Sequence, residues 1–384
     1  MALRVSRRGL VPPFIAMDVL RAANEREAAG ADVIHLEVGQ PGTPAPAAVL
    51  EAARQALDGA RIGYTDALGI APLREAIAAH YRAQYDVAVD PGEIIVTTGS
   101  SAAFQLAFLA AFEAGDRVAL AVPGYPAYRN ILGALGIEPV LVEAGENTHY
   151  QPTPELLAEM GPLDGLIVAS PANPTGTMID AADLASLAEY CRDRGIRLIS
   201  DEIYHGITHE TPAATARAYG RAGIVVNSFS KYYSMTGWRL GWMLAPPDLA
   251  RSIECLAQNF YISPPALSQL AAIPAFDCRA ELDGHVARYR ANRDLLTHAL
   301  KAARLTRFAP ADGAFYLYVD VSELTRDSEE FCRRLLAETG VAITPGLDFD
   351  PIRGGGWVRL SFAGPTSDIA EAARRLTRWL KSGP

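Results

Sequence analysis

The 384 residues are 49% hydrophobic and 21% charged, and 35 basic side chains stand against 44 acidic ones for a formal charge of −9. At roughly 100–200 residues per domain that length supports two or three units with cores of their own, which excludes a metal- or disulfide-stapled module and a disordered or fibrous chain. The acidic balance, with no run of Lys or Arg, argues against a nucleic-acid or anionic-membrane surface. No segment approaches the ~20 apolar residues of a membrane helix.

The first thirty residues are basic in places, but Asp18 and Arg21 interrupt them before an apolar stretch of signal-sequence length develops. Cys191, Cys255, Cys278 and Cys332 lie far apart and form no CxxC pair. They read as reduced thiols of a cytoplasmic protein, with no metal site. From residue 47 to 275 helical and strand-like segments alternate, the signature of an α/β architecture on a mostly parallel sheet. Short β-rich runs predict strands at 94–98, 117–122, 139–142, 165–170, 196–200, 224–228 and 240–245. Residues 181–194 repeat Leu184, Leu187, Ala188 and Cys191 at helical spacing. The last hundred residues change character: a long charged helix at 281–303, strands at 314–320, 341–344 and 357–362, and a closing helix at 366–381. These imply an N-terminal segment (1–46) packed with a smaller α+β domain (276–384), and a large domain between them (47–275). Residues 40–46 and the turn around 263–265 are the expected crossing points.

In open α/β sheets ligands sit at the carboxyl ends of the strands, so the residues that follow each predicted strand are the candidates. Gly99-Ser100-Ser101 runs into a helix and could hold a phosphate, although taken alone an ordinary N-cap explains it better. A nucleoside triphosphate site is set aside, because GxxxxGK[ST] does not occur. Asp201 closes a buried strand, where a carboxylate needs a cation or a hydrogen-bond network. Asn173 before Pro174 is by itself a turn residue, and Tyr204 by itself a packed aromatic. Lys231 follows a strand and a serine pair and precedes aromatics, a setting that would lower its pKa and leave a nucleophilic amine for a Schiff base. Arg239, eight residues on, supplies a fixed cation suited to a phosphate. Arg359, between apolar neighbours in a strand, suits bidentate pairing with a carboxylate, with a structural salt bridge as the bland alternative. His205 and His209, with Glu210 behind them, have metal-ligand spacing, but such a lone pair is more often coincidence.

Ser228-Phe229-Ser230-Lys231 through Met235-Thr236-Gly237-Trp238-Arg239-Leu240-Gly241, with Ala172-Asn173-Pro174-Thr175-Gly176, Asp201-Glu202-Ile203-Tyr204 and Val358-Arg359-Leu360-Ser361-Phe362, resembles the class I/II pyridoxal-phosphate-dependent aminotransferases of fold type I. The resemblance spans nearly the whole chain. It implies a large domain with a mostly parallel seven-stranded sheet between helices plus a smaller α+β domain. It also implies pyridoxal 5′-phosphate as cofactor, and amino-group transfer between an amino acid and a 2-oxo acid by a ping-pong mechanism. Through it, Lys231 would be the Schiff-base lysine and proton shuttle, and Asp201 would pair with the pyridine nitrogen. Tyr204 and Asn173 would reach the ring's phenolate oxygen, and Tyr125 would stack on the ring. Ser100, Ser101, Ser228 and Arg239 would hold the phosphate, and Tyr64 would reach the phosphate of a neighbouring subunit in a homodimer. Arg359, with Asn173 and the backbone of Gly39, would clamp the substrate α-carboxylate.

Two departures bear on the substrate. Some aspartate-using relatives carry a lysine where Ser101 stands, and the segment expected to close over the side chain, Val11-Pro12-Pro13-Phe14-Ile15, is apolar. Both favour apolar or aromatic donors over aspartate. The same scaffold also supports β-lyases and decarboxylases, and a non-catalytic aminotransferase-like sensor domain is a further reading. Nothing distinctive of the lyases is present, and intact Lys231, Asp201 and Arg359 favour catalysis.

Overall fold

The computed structural model describes residues 3–59 and 61–383. All seven strands expected between residues 94 and 245 form, and they join in one sheet. From edge to edge they are Ile94–Thr97, Gly241–Leu244, Ile224–Ser228, Arg197–Asp201, Gly165–Ala169, Arg117–Val122 and Glu138–Glu143. Neighbours run parallel except at Gly241–Leu244, which is antiparallel to both of its partners. The central strands are near-continuous apolar runs because both faces are covered. Alternate residues then feed opposite cores. Val96, Leu166, Leu198 and Trp242 meet Val49, Leu73 and Leu184 from the helices Ala47–Gly59, Ala71–Tyr85 and Ala181–Arg194. Ile95, Ile167, Ile199 and Met243 meet Phe104, Leu132 and Ile253 from Ser100–Ala111, Pro126–Leu135 and Ala250–Phe260.

The C-terminal third builds a three-stranded antiparallel sheet, in the order Thr344–Pro345, Trp357–Ser361, Tyr316–Asp320. Helices Arg279–Ala302, Ser328–Thr339 and Thr366–Lys381 back it. The last helix buries Ile369, Ala372, Ala373, Leu376 and Trp379, the i, i+3, i+4, i+7 stripe of an amphipathic helix. The N-terminal helix Ile15–Ala28 packs beside this unit, and Ile34–His35 pairs in parallel with Val341–Ala342.

Two expectations need correction. The single strand at 341–344 is two: Val341–Ala342 pairs with the N-terminal segment, Thr344–Pro345 pairs with Val358 and Arg359, and buried Ile343 is where the chain changes sheets. A continuous apolar run carries no mark of a change of partner. The turn at 263–265 is not a crossing between units, because the helix after it, Ala266–Ala272, packs on Ala47–Gly59 within the large layer. Its prolines serve that local turn instead.

Candidate active site

A cavity of about 490 Å³ opens at the carboxyl ends of the parallel strands, between the large sheet and the C-terminal unit. Asp201 reaches it from the end of its strand, Tyr204 from the turn that follows, and Lys231 from the turn after Ile224–Ser228. Asn173 comes from the turn after Gly165–Ala169, and Tyr125 from the residue before Pro126–Leu135. Arg359 enters from the small sheet. A larger cavity of about 740 Å³, lined by His80, His205 and His209, contains none of the predicted catalytic or binding residues. There His205 meets the Tyr85 hydroxyl at 2.7 Å.

The Lys231 amine donates to the Gly39 carbonyl at 2.6 Å and lies 5.6 Å from the centre of the Tyr204 ring. Burial, then the Arg359 and Arg239 charges, lower its pKa to about 8, against the pull of Asp201. Asp201, 3% exposed, accepts from the Tyr128 hydroxyl and, at 3.1 Å, from the Ile203 N–H. Burial raises its carboxyl to about 6, and these two hydrogen bonds hold it from rising further. Tyr204 shares a 2.6 Å hydrogen bond with Tyr316.

Arg359 is 2% exposed, yet no carboxylate pairs with it among the described residues. Its acceptors are neutral: Asn173 Oδ1 at 2.9 Å, Thr344 Oγ1 at 3.2 Å and the Glu37 carbonyl, with Nε left over. Its guanidinium lies 4.5 Å above the Tyr316 ring and 4.7 Å from that of Phe349. A buried cation without a counter-ion is costly, and an anionic ligand relieves that cost.

At the mouth, Gly99 caps the helix Ser100–Ala111 with φ +78°. A Cβ there would stand 2.6 Å from the Arg239 guanidinium, so the glycine lets this cation close on the helix N-terminus. Because Gly99 is the cap, Ser100 and Ser101 are the first helical residues and their hydroxyls are not spent on capping. First-turn N–H groups, two hydroxyls and an arginine together fit a phosphate. With a softened lysine and a buried carboxylate in the same cavity, the donor set fits pyridoxal phosphate.

Of the residues named from sequence, the structure gathers Gly39, Ser100, Ser101, Tyr125, Asn173, Asp201, Tyr204, Lys231, Arg239 and Arg359 into this one cavity. Ser228 lies behind it: its hydroxyl donates to Ser230 at 2.9 Å, and Ser230 lines the wall. Tyr64 is 84% exposed and outside the cavity. Sequence reasoning missed Tyr128 and Tyr316. The sign for Tyr128 was its place three residues after Tyr125 on one helix face. For Tyr316 it was a tyrosine in the strand paired with that of Arg359.

A seven-stranded, mostly parallel sheet with this lysine and carboxylate at its strand ends, faced by an arginine from the small sheet, defines a fold type I pyridoxal-phosphate enzyme. The sequence matches the family aminotransferase class I and II over residues 31–376. The chain belongs to that family and is a pyridoxal-phosphate-dependent aminotransferase, with amino acid and 2-oxo acid substrates. It is 54% identical, over 99% of both chains, to a valine–pyruvate aminotransferase of Mycobacterium tuberculosis. The crystal structure of an aminotransferase from that organism superposes with a TM-score of 0.97 at 54% identity, covering 99% of this chain and 100% of the other. The aspartate aminotransferase of Thermus thermophilus with maleate gives 0.93 at 32% identity, covering 98% of this chain and all of that one.

Proposed function

We propose that the enzyme takes its amino group from a small, branched or otherwise apolar amino acid of the valine class and exchanges it with a short 2-oxo acid of the pyruvate class. The observation that carries this reading is the lining of the cavity. Phe14, Ala16, Met17, Leu20 and Ile131 form an apolar wall, and among the described residues its only cations are Lys231, Arg239 and Arg359. Each of those three has a task already, so a side-chain carboxylate would be buried unpaired at a cost of several kcal/mol, whereas each buried methylene gains ~0.8 kcal/mol. The similarity to the mycobacterial valine–pyruvate enzyme supports the same reading.

In this scheme bound pyridoxal phosphate supplies the conjugated ring that takes up the electron pair left at the substrate Cα. Lys231 would hold the cofactor covalently and, once released, its Nζ would shuttle the proton between the substrate Cα and the cofactor C4′. With a pKa near 8, about a tenth of such amines are neutral at pH 7, against ~0.03% for an ordinary lysine. Asp201 keeps the pyridine nitrogen protonated, and Tyr128 keeps Asp201 ionised. Tyr204 and Asn173 reach the ring's phenolic oxygen, and Tyr125 covers the ring face. Ser100, Ser101 and Arg239, with Ser230 in the wall and Ser228 behind it, receive the phosphate. Arg359 grips the α-carboxylate, giving up only neutral acceptors to do so.

The working unit in this reading is a homodimer in which Tyr64 completes the partner's phosphate site. Ile62, Tyr64, Phe260 and Ile262 are 46–84% exposed. Gln269 ties their two segments together by donating to Thr65 Oγ1 and the Pro264 carbonyl, and exposed apolar residues gathered in this way suit an interface. We also take residues near 46 and 275 as the boundaries of two units, whose main cores differ although Ala45 and Leu282 join the large one and Tyr204 and Ile207 the small one. A cytoplasmic location fits the four unpaired cysteines. The deciding experiment compares kcat/KM for valine, leucine, alanine, phenylalanine and aspartate with pyruvate as common acceptor. Valine is expected to exceed aspartate at least tenfold; a preference for aspartate would reject the reading.

A further inference from the structure

The wall over the donor side chain is carried by the helix Ile15–Ala28, and the sequence gives that helix no means of capping itself. Its N-cap residue is Phe14, preceded by Pro12-Pro13, and Phe14 makes no side-chain capping bond. The orphaned first-turn N–H groups are instead received by a residue more than 330 positions away. Asp348 accepts from the Ile15 N–H at 3.1 Å through one carboxylate oxygen and from the Ala16 N–H at 3.0 Å through the other. Asp348 is 1% exposed and does not line the cavity.

Its surroundings tie the cap to the rest of the site. The Asp348 carbonyl accepts from Arg129 at 2.5 Å, on the helix that begins beside Tyr125 and carries Tyr128. The next residue, Phe349, lays its ring against the Arg359 guanidinium, and its carbonyl accepts from the Gly124 N–H at 3.0 Å. One short turn, Gly346–Asp348, therefore joins the N-terminal helix, the large-sheet layer and the carboxylate clamp.

We propose that Asp348 is a specificity-determining positioning residue: as the external cap of Ile15–Ala28 it fixes Phe14, Ala16, Met17 and Leu20 over the donor side chain, and so sets how strongly the enzyme favours a branched apolar donor over alanine. A helix N-terminus tied by a buried carboxylate is held by both hydrogen bonds and macrodipole. Released, the first turn frays, and the part of the pocket that contacts the donor beyond its Cβ loosens first. The cofactor cradle lies on other elements, and whatever loss of the Asp348 charge near Arg359 does to the α-carboxylate clamp acts on valine and alanine alike and cancels in their ratio. The size effect rests on the apolar-donor reading above; the capping effect does not.

The test compares wild type, Asp348→Ala and Asp348→Asn as holoenzymes. Asn keeps one carbonyl acceptor for one of the two N–H groups and guards against a variant that only folds badly. In Asp348→Ala, hydrogen exchange of the first two turns of the helix is expected to rise at least tenfold. The kcat/KM ratio of valine to alanine should fall at least fivefold, mainly through the KM for valine, with the cofactor's absorbance retained. Asp348→Asn should fall between the two. Unchanged exchange, or an unchanged valine-to-alanine ratio in a variant that still binds cofactor, would overturn the proposal. A wild type that prefers aspartate would sink the substrate reading alone, since exchange and the ratio still judge the cap.

Discussion

Tyr128 and Glu202 show how much of the electrostatics around Asp201 rests on its neighbours. Tyr128 donates to Asp201 inside a wholly buried pair, and a hydrogen bond to a charged acceptor is worth about 1.5–3 kcal/mol. Tyr128→Phe is therefore expected to weaken cofactor binding by roughly ten- to a hundredfold. Titrating the cofactor-free variant with pyridoxal phosphate measures it, and an unchanged affinity would show that Asp201 needs no help. Glu202, next in sequence, is 1% exposed and accepts from Ser200 and Thr215 at 3.1 Å and from the Ala216 N–H at 2.8 Å, yet burial still raises its carboxyl to about 8. Its protonated form is favoured by folding, so its contribution to stability is full below the unfolded value of 4.5 and is lost as pH rises through about 8. Burial lowers His80 to about 4, His205 to about 3 and His209 to about 4. Their contributions are complete above pH 6.5 and disappear as pH falls. Asp201, at about 6, has lost most of its term by then, and Lys231, at about 8, adds stability only above that pH. Between pH 6.5 and 8 the Tm of cofactor-free protein should therefore fall with rising pH by ~2 °C per unit. Glu202→Gln should flatten that slope; the same slope in the variant would place the titration elsewhere.

The helix Ser100–Ala111 places its N-terminus on the cavity because Gly99 takes a conformation that L residues rarely adopt, with Arg239 where a Cβ would stand. Gly99→Ala must relax both, and the guanidinium is what moves. The expected result is at least a tenfold loss of pyridoxal phosphate affinity with helix content unchanged by circular dichroism, since strain at such a position costs about 1–3 kcal/mol. Binding as tight as wild type would remove Arg239 from the phosphate site. At this scale the large sheet was legible because each strand is a short buried β-rich run bounded by turn signals, and the structure moves no end by more than one residue. The site was legible because its polar residues stand directly after those strands. Tyr128 and Tyr316 were hidden because an isolated tyrosine in a helix or strand reads as packing until its hydroxyl's partner is seen. Ser228 and Ser230 could not be told apart because strand alternation would aim residues two apart the same way; the strand ends at Ser228, and the turn after it brings only Ser230 to the cavity. The Asp348 cap was the least visible of all, since no local pattern joins residues 15 and 348.

At the scale of the whole molecule, the exposure of Tyr64, away from the cavity where most of the other candidate cofactor residues gather, fits the proposed homodimer. A homodimer is expected by sedimentation, with Tyr64→Phe leaving the dimer intact and lowering cofactor affinity severalfold; an active species of the chain's own 41.1 kDa would reject it. The pairing of Ile34–His35 with Val341–Ala342 carries a different consequence, one of timing during synthesis. The helix that roofs the pocket and the strand beside it leave the ribosome roughly 300 residues ahead of their partners, Val341, Ala342 and Asp348. The large sheet can close on the growing chain, because its seven strands lie between residues 94 and 244. The N-terminal segment must wait, exposed, until residues 341–348 have emerged, and a chain arrested between residues 244 and 341 would hold a finished sheet beneath an unroofed pocket.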